Sequence, residues 1–203
     1  LSNTPWLPRP PPLLMVLSGP SGVGKDVVLQ RLRQEEPSLS PVVTATTRPQ
    51  RPGEVDGMHY YFLDPNRFEE MAACGEFLES ASVYGYCYGV PKAAVRAALD
   101  EGRDVVLKTD VQGAASVRRM AAGALLLFLA PPSLGELARR LKARNTENSE
   151  QYQRRLETAR QEMMCLPDFD YVVVNHEVAQ AVADIRAILT AERCRVQPRR
   201  ARV

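Results

Sequence analysis

Leu13 to Ser18 (LLMVLS) is a nearly unbroken apolar run that stops at a glycine-rich turn. That pattern predicts a strand buried on both faces, of the kind found in parallel sheets, feeding a helix. Val28, Leu29 and Leu32 follow at helical spacing. The same rhythm returns at Val105 to Thr109 followed by Val111 to Met120, and at Leu125 to Leu129 followed by Leu134 to Leu141. It closes with Tyr171 to Val174 and a final helix carrying Val178, Val182, Ile185 and Leu189. Alternation of this kind predicts an α/β fold, a parallel sheet with helices on both faces.

Two stretches break the rhythm. Residues 42–90 are rich in Gly, Tyr, Thr and Pro, with short strand-like pieces and one helix near Pro65 to Cys74, which suits a smaller lobe inserted after the first helix. Residues 145–150 (NTENSE) are polar and flanked by arginines, which predicts a mobile loop between two helices. The expected organisation is a core of residues 13–41 and 91–190, an inserted lobe of 42–90 and a short helical lid near 140–156. Ahead of the core, TPWLPRPPP at 4–12 cannot continue a helix or a central strand, because proline lacks the amide donor. Residues 1–12 are therefore expected to be a disordered lead-in, with a polyproline ligand for an adaptor domain as the other reading. Residues 191–203, ending QPRRARV, are expected to be a solvated basic tail.

Bulk properties exclude several classes. A chain of 203 residues with 45% hydrophobic content fills one compact domain with small attachments. No apolar run approaches the ~20 residues of a membrane-spanning helix, so no membrane partner is expected. The net charge of +2 is too small to predict a nucleic-acid partner. Cys74, Cys87, Cys165 and Cys194 show no metal-ligand or disulfide spacing, and His59 and His176 stand alone. A reducing compartment fits that cysteine usage.

The strongest local signal is Gly19-Pro20-Ser21-Gly22-Val23-Gly24-Lys25, set between a predicted strand and a predicted helix. Glycines let successive backbone N–H groups turn toward phosphate oxygens, and the helix N-terminus adds favourable potential. Lys25 then reaches the β- and γ-phosphates of a nucleotide, as in the phosphate-loop motif. The Ser or Thr usual after that lysine, a hydroxyl ligand for magnesium, is here Asp26. A carboxylate is also a hard oxygen ligand, direct or through water, and its charge beside phosphates is a cost. A second anion site is suggested by Arg48 and Arg51 with Pro49 between them, since guanidinium forks bind phosphate oxygens in pairs. The spacing alone equally allows a solvated basic loop.

The order GPSGVGK, TATTRPQRPGEVDGMHYYF, GEFLE, YGYCYG, TDVQG, APPS, RLKARNTENSE and VVVN is similar to guanylate kinases across roughly residues 13–190. The resemblance is strongest to the organellar guanylate kinases of plants and algae. It implies a P-loop NTPase-type sheet with an inserted GMP-binding lobe and a helical lid. It also implies transfer of the γ-phosphoryl group of ATP to GMP, and to dGMP, with Mg2+ accompanying ATP. On this resemblance ATP would be held by Gly19 to Lys25, with Asp26 as the metal ligand, direct or through water, and Asn175 near the base. GMP would be held by Thr44, Arg48, Arg51, Glu54, Tyr60, Glu79, Tyr88, Asp110 and Gln112. Arg48, Arg51, Tyr60 and Tyr88 are assigned to its phosphate, and Glu79 and Asp110 to the guanine donors. Arg140, Arg144 and Arg155 would close over the moving phosphoryl beside Lys25. Two further departures are Val90, where many relatives offer a hydroxyl, and Lys108, where many carry an acid. The competing expectation is a non-catalytic guanylate-kinase-like module that holds a partner protein. The subtype implies a plastid, with mitochondrion and cytosol as alternatives, and a monomer is favoured.

Overall fold

The structure, a computed structural model, describes residues 10–83, 85–143 and 149–203. Its strands are β1 (Leu14–Ser18), β2 (Leu39–Pro41), β3 (Ala45–Thr46), β4 (Tyr61–Phe62), β5 (Phe77–Val83), β6 (Tyr86–Pro91), β7 (Asp104–Lys108), β8 (Leu125–Ala130) and β9 (Tyr171–Val174). Its helices are α1 (Lys25–Glu35), α2 (Pro65–Ala73), α3 (Lys92–Asp100), α4 (Val111–Met120), α5 (Leu134–Ala143), α6 (Ser149–Met164) and α7 (Val178–Arg193).

The central sheet is parallel throughout, in the order β2-β7-β1-β8-β9. Because side chains alternate along a strand, β1 supplies both faces. Met15 and Leu17 pack with Val28, Leu29 and Leu32 of α1 and with Ala181, Val182, Ile185 and Leu189 of α7. Leu14 and Val16 point the other way, toward Val95 and Ala98 of α3 and Ala114 and Val117 of α4. This two-sided burial is why the strand reads as continuously apolar. Each such fully buried side chain contributes about 1.5–3 kcal/mol.

A second sheet of four strands has the order β4-β3-β6-β5, with β5 and β6 forming an antiparallel pair. Helix α2 packs on it through Phe68, whose ring stacks on Phe77 at 4.5 Å between centroids. Asp64 caps α2 by accepting from the Arg67 N–H, and Pro65 opens the helix where no amide donor is needed. Strand β5 also lies against α4, joining the two sheets. Helices α5 and α6 pair through Leu137, Leu141 and Ala159. Ser149 and Glu150 belong to α6 rather than to the polar loop expected there, and 144–148 lie outside the described residues.

The basic tail departs from expectation. It docks: Ala201 and Val203 pack against the α3/α4 side of the core, and Arg202 bridges Ala122. Arg199 donates at 3.0 Å to Glu192, a carboxylate with 0% side-chain exposure that also takes the Tyr171 hydroxyl at 2.8 Å. A solvated end was expected from its arginines, but a buried acid on α7 gives them a partner. No helix among the described residues is long and apolar enough to cross a membrane.

Candidate active site

Parallel strands end together, and the loops that leave their carboxyl ends gather in one row. Leu17 of β1 lies beside Lys108 of β7, Ser18 beside Phe128 of β8, and Ala130 beside Val174 of β9. The glycine-rich loop follows β1, Thr109 and Asp110 follow β7, and Asn175 follows β9.

The loop passes into α1 through Gly24, which takes φ 103° and has the Asn175 amide where a Cβ would stand, at 2.8 Å. Only glycine adopts that turn without strain. Asn175 is buried and donates from Nδ2 to the Val23 carbonyl at 2.8 Å, while its Oδ1 finds no partner among the described residues. Lys25 folds over the loop, its ammonium donating to the carbonyls of Gly19 and, at 3.2 Å, Pro20. Burial lowers the Lys25 pKa; the Glu162 charge opposes that and the Lys108 charge adds to it. Asp26, in the first turn of α1, pairs with Lys108 Nζ at 2.5 Å.

Two elements close on the loop from the lid side. Arg140 of α5 donates to the Val23 carbonyl at 3.3 Å and the Asn175 carbonyl at 3.1 Å, and its Nε pairs with Glu136 at 2.7 Å. Its guanidinium is thus seated on the loop's backbone. Glu162 of α6 accepts from the Ser21 N–H at 3.2 Å, and burial raises its pKa. It was missed in the sequence because no motif contains it. The available signal is spacing, since 155, 159 and 162 share one helix face and Ala159 is fully buried. Arg155 is half-buried on that face, and Arg144 lies outside the described residues.

A second group forms on the small sheet. Arg48, only 8% exposed, pairs through NH2 with Glu54 at 2.7 Å and stands 5.4 Å from the Tyr60 ring centre. Tyr60 meets Tyr88 edge-on at 6.1 Å. The Glu54 carboxylate also takes the Arg51 N–H at 2.8 Å, so one acid joins both arginines, by side chain and by backbone. Arg48, first among several causes, holds Glu54 below the usual carboxylate range. The Arg51 side chain is exposed, and Thr44 lies just ahead of β3, its carbonyl accepting from Tyr61.

A third group sits where the two sheets meet. Glu79 of β5 faces the start of α4, where Asp110 caps the helix by accepting from the Gly113 N–H at 2.7 Å. A Cβ on Gly113 would fall 1.9 Å from the Thr109 hydroxyl oxygen and 2.7 Å from Glu79 Oε2, so a side chain there would displace Thr109 and Glu79. Burial, and then the Asp110 charge, raise the Glu79 pKa from 4.5 to about 7. Val90 pairs with Glu79 across β5 and β6 and is buried in the core. Gln112 is exposed in the first turn of α4.

A guanylate kinase sequence profile matches residues 12–192. The chain is 44% identical over 185 residues to the guanylate kinase of Desulfitobacterium hafniense (strain Y51), covering 91% of this chain and 92% of that protein. It is 45% identical over 201 residues to guanylate kinase 2, chloroplastic/mitochondrial, of Oryza sativa subsp. japonica, covering 98% of this chain and 70% of the rice protein. The crystal structure of guanylate kinase from Anaplasma phagocytophilum superposes with a TM-score of 0.72 at 33% identity, covering 93% of this chain and 89% of that one. With the phosphate loop intact and similarity running along almost the whole length, this chain belongs to the guanylate kinase family.

Proposed function

We propose that the protein transfers the γ-phosphoryl group of ATP to GMP, giving ADP and GDP. The observation that carries this reading is the pairing of a complete phosphate loop, after β1, with two neighbouring acids, Asp110 after β7 and Glu79 on β5 where the small sheet meets α4. Guanine presents two adjacent donors, N1–H and the N2 amine, and carboxylates accept from both. Adenine in that pocket would leave a buried acid unsatisfied, which rejects it strongly.

The loop amides and Lys25 hold the ATP phosphates, and the orphaned Asn175 Oδ1 is an acceptor for a donor on the ATP base. Arg48, Arg51, Tyr60 and Tyr88 hold the GMP phosphate, with Glu54 keeping Arg48 oriented; Thr44 and Gln112 border the nucleoside. A GMP phosphate oxygen forms a bond to the γ-phosphorus while the bond from that phosphorus to the β–γ bridging oxygen breaks. The electron pair leaves with ADP. The nucleophile is already anionic, so the protein's work is alignment and charge stabilisation rather than proton removal. Arg140, Arg144 and Arg155 neutralise the moving group, and closure of the small lobe and lid excludes water. Magnesium, where bound, supplies charge neutralisation at the phosphates. Asp26 is the protein oxygen suited to it, and no group of three or more metal-binding side chains lies together among the described residues. That fits an ion carried largely by phosphate and water.

A coupled assay with ATP and each of GMP, dGMP, AMP, CMP and UMP tests the reading. ADP release is expected with the guanine nucleotides alone. No release with GMP would leave a partner-binding module instead. The name of the rice relative supports a plastid or mitochondrial location, and imaging the tagged full-length protein tests it.

A further inference from the structure

We propose that Lys108 is a second ligand for the terminal phosphate of ATP, held in reserve by Asp26 until the nucleotide arrives. The proposal rests on the ATP-binding reading above. Lys108 ends β7, directly beside Leu17 and hence beside the strand that opens into the phosphate loop. Its ammonium bonds the carboxylate of Asp26, the residue next to Lys25 in the first turn of α1, so two cations stand at the mouth of the loop. Two cations brought together at one strand edge repel each other, and an anion between them removes the repulsion.

In the structure the carboxylate that meets Lys108 is Asp26, 2.5 Å from its Nζ. As a staple for the fold the pair is weak. The two side chains are 43% and 71% exposed, and ion pairs that exposed contribute little, because water screens them. The arrangement makes better sense as a holding position. A triphosphate carries several negative charges against one carboxylate and is gripped by the loop amides and Lys25, so it takes Lys108 from Asp26. Lys108 then joins Lys25 at the γ-phosphate, where charge spreads as the phosphoryl moves. Asp26 gives up the ammonium in that exchange, which suits its proposed service to the metal.

Calorimetric binding of ATP in the presence of EDTA separates this from simple charge compensation. The series is the unsubstituted protein, Lys108→Met, Asp26→Asn and the double variant, with thermal melts confirming the fold and Lys108→Gln standing by. If Lys108 touches phosphate, Lys108→Met weakens ATP binding about tenfold, the size of a lost charge-assisted contact. That loss appears both in the native background and in the Asp26→Asn background. ADP, lacking that phosphate, loses less, and GMP binding is unchanged. Loss of affinity only where Asp26 is present would show that Lys108 merely neutralises it, and overturns the proposal. So does a loss confined to GMP, or an equal loss for ADP. Failure of the unsubstituted protein to bind ATP, with or without magnesium, would instead sink the functional reading on which this rests.

Discussion

Glu79 sits at odds with stability and in accord with function. Burial and the neighbouring Asp110 hold its proton up to about pH 7, against 4.5 for an ordinary glutamate. Between those values the folded chain binds more protons than the unfolded one, so stability falls as pH rises through the window and the full penalty stands above it. Glu79→Gln removes the penalty. The variant's Tm should exceed that of the unsubstituted protein at pH 8, by about 2–4 °C for each kcal/mol relieved, and the two should converge near pH 4.5. An unchanged Tm at pH 8 would refute this account. The same substitution replaces an acceptor by an amide that also donates, so GMP should bind far more weakly. In the unsubstituted protein KM for GMP should rise as pH drops below about 7, where the carboxyl is protonated. Glu79 itself was readable from the GEFLE motif. Its pressure against Thr109, Asp110 and Gly113 was not, because those residues are remote in sequence and meet only when β5 docks on α4.

Helix α6 shows how an element can carry a site residue that no motif marks. Its Glu162 accepts an amide of the phosphate loop, a group suited to an incoming anion. A carboxylate there opposes the polyphosphate, by about 1 kcal/mol or more at a surface-like dielectric. Glu162→Gln keeps an acceptor for the Ser21 N–H and drops the charge. Metal-free ATP should therefore bind severalfold more tightly to the variant, measured by calorimetry. Weaker binding would mean that Glu162 serves chiefly to support the Lys25 ammonium. Arg140 carries a related lesson. The resemblance implied a lid cation there, and the structure seats it on the carbonyls of Val23 and Asn175. Arginine count and spacing along a helix do not say whether a guanidinium meets backbone oxygens or solvent.

At the scale of the whole molecule, the C-terminal segment is part of the fold. Arg199 reaches the buried Glu192, and the Val203 carbonyl accepts from Arg96 of α3 at 2.5 Å. Ending the chain after Pro198 removes one cation from a buried acid and uncovers apolar surface. The cost should be on the order of 2 kcal/mol, with Tm falling by roughly 4–8 °C. Turnover at 25 °C should be little changed, since the segment lies away from the phosphate loop. A truncated protein with the original Tm would show that the docking contributes nothing. The two sheets have a different relation: they join where β5 meets α4, the central sheet leading into the phosphate loop and the small one carrying Arg48, Tyr60 and Tyr88.

By itself the sequence determined β1, β7, β8 and β9, the helices α1, α2, α4, α5 and α7, and the phosphate loop, because each is encoded over a few neighbouring residues. Apolar runs buried on both faces, helical spacing and glycines at a sharp turn are all local signals. Tertiary structure decided which distant side chains share a volume. Glu79 meets Gly113, Lys108 meets Asp26, Glu162 meets Ser21, and the tail meets Glu192. Those pairings depend on how strand ends line up and how helices pack across the sheet, which hydrophobic burial sets without regard to the polar groups it brings together.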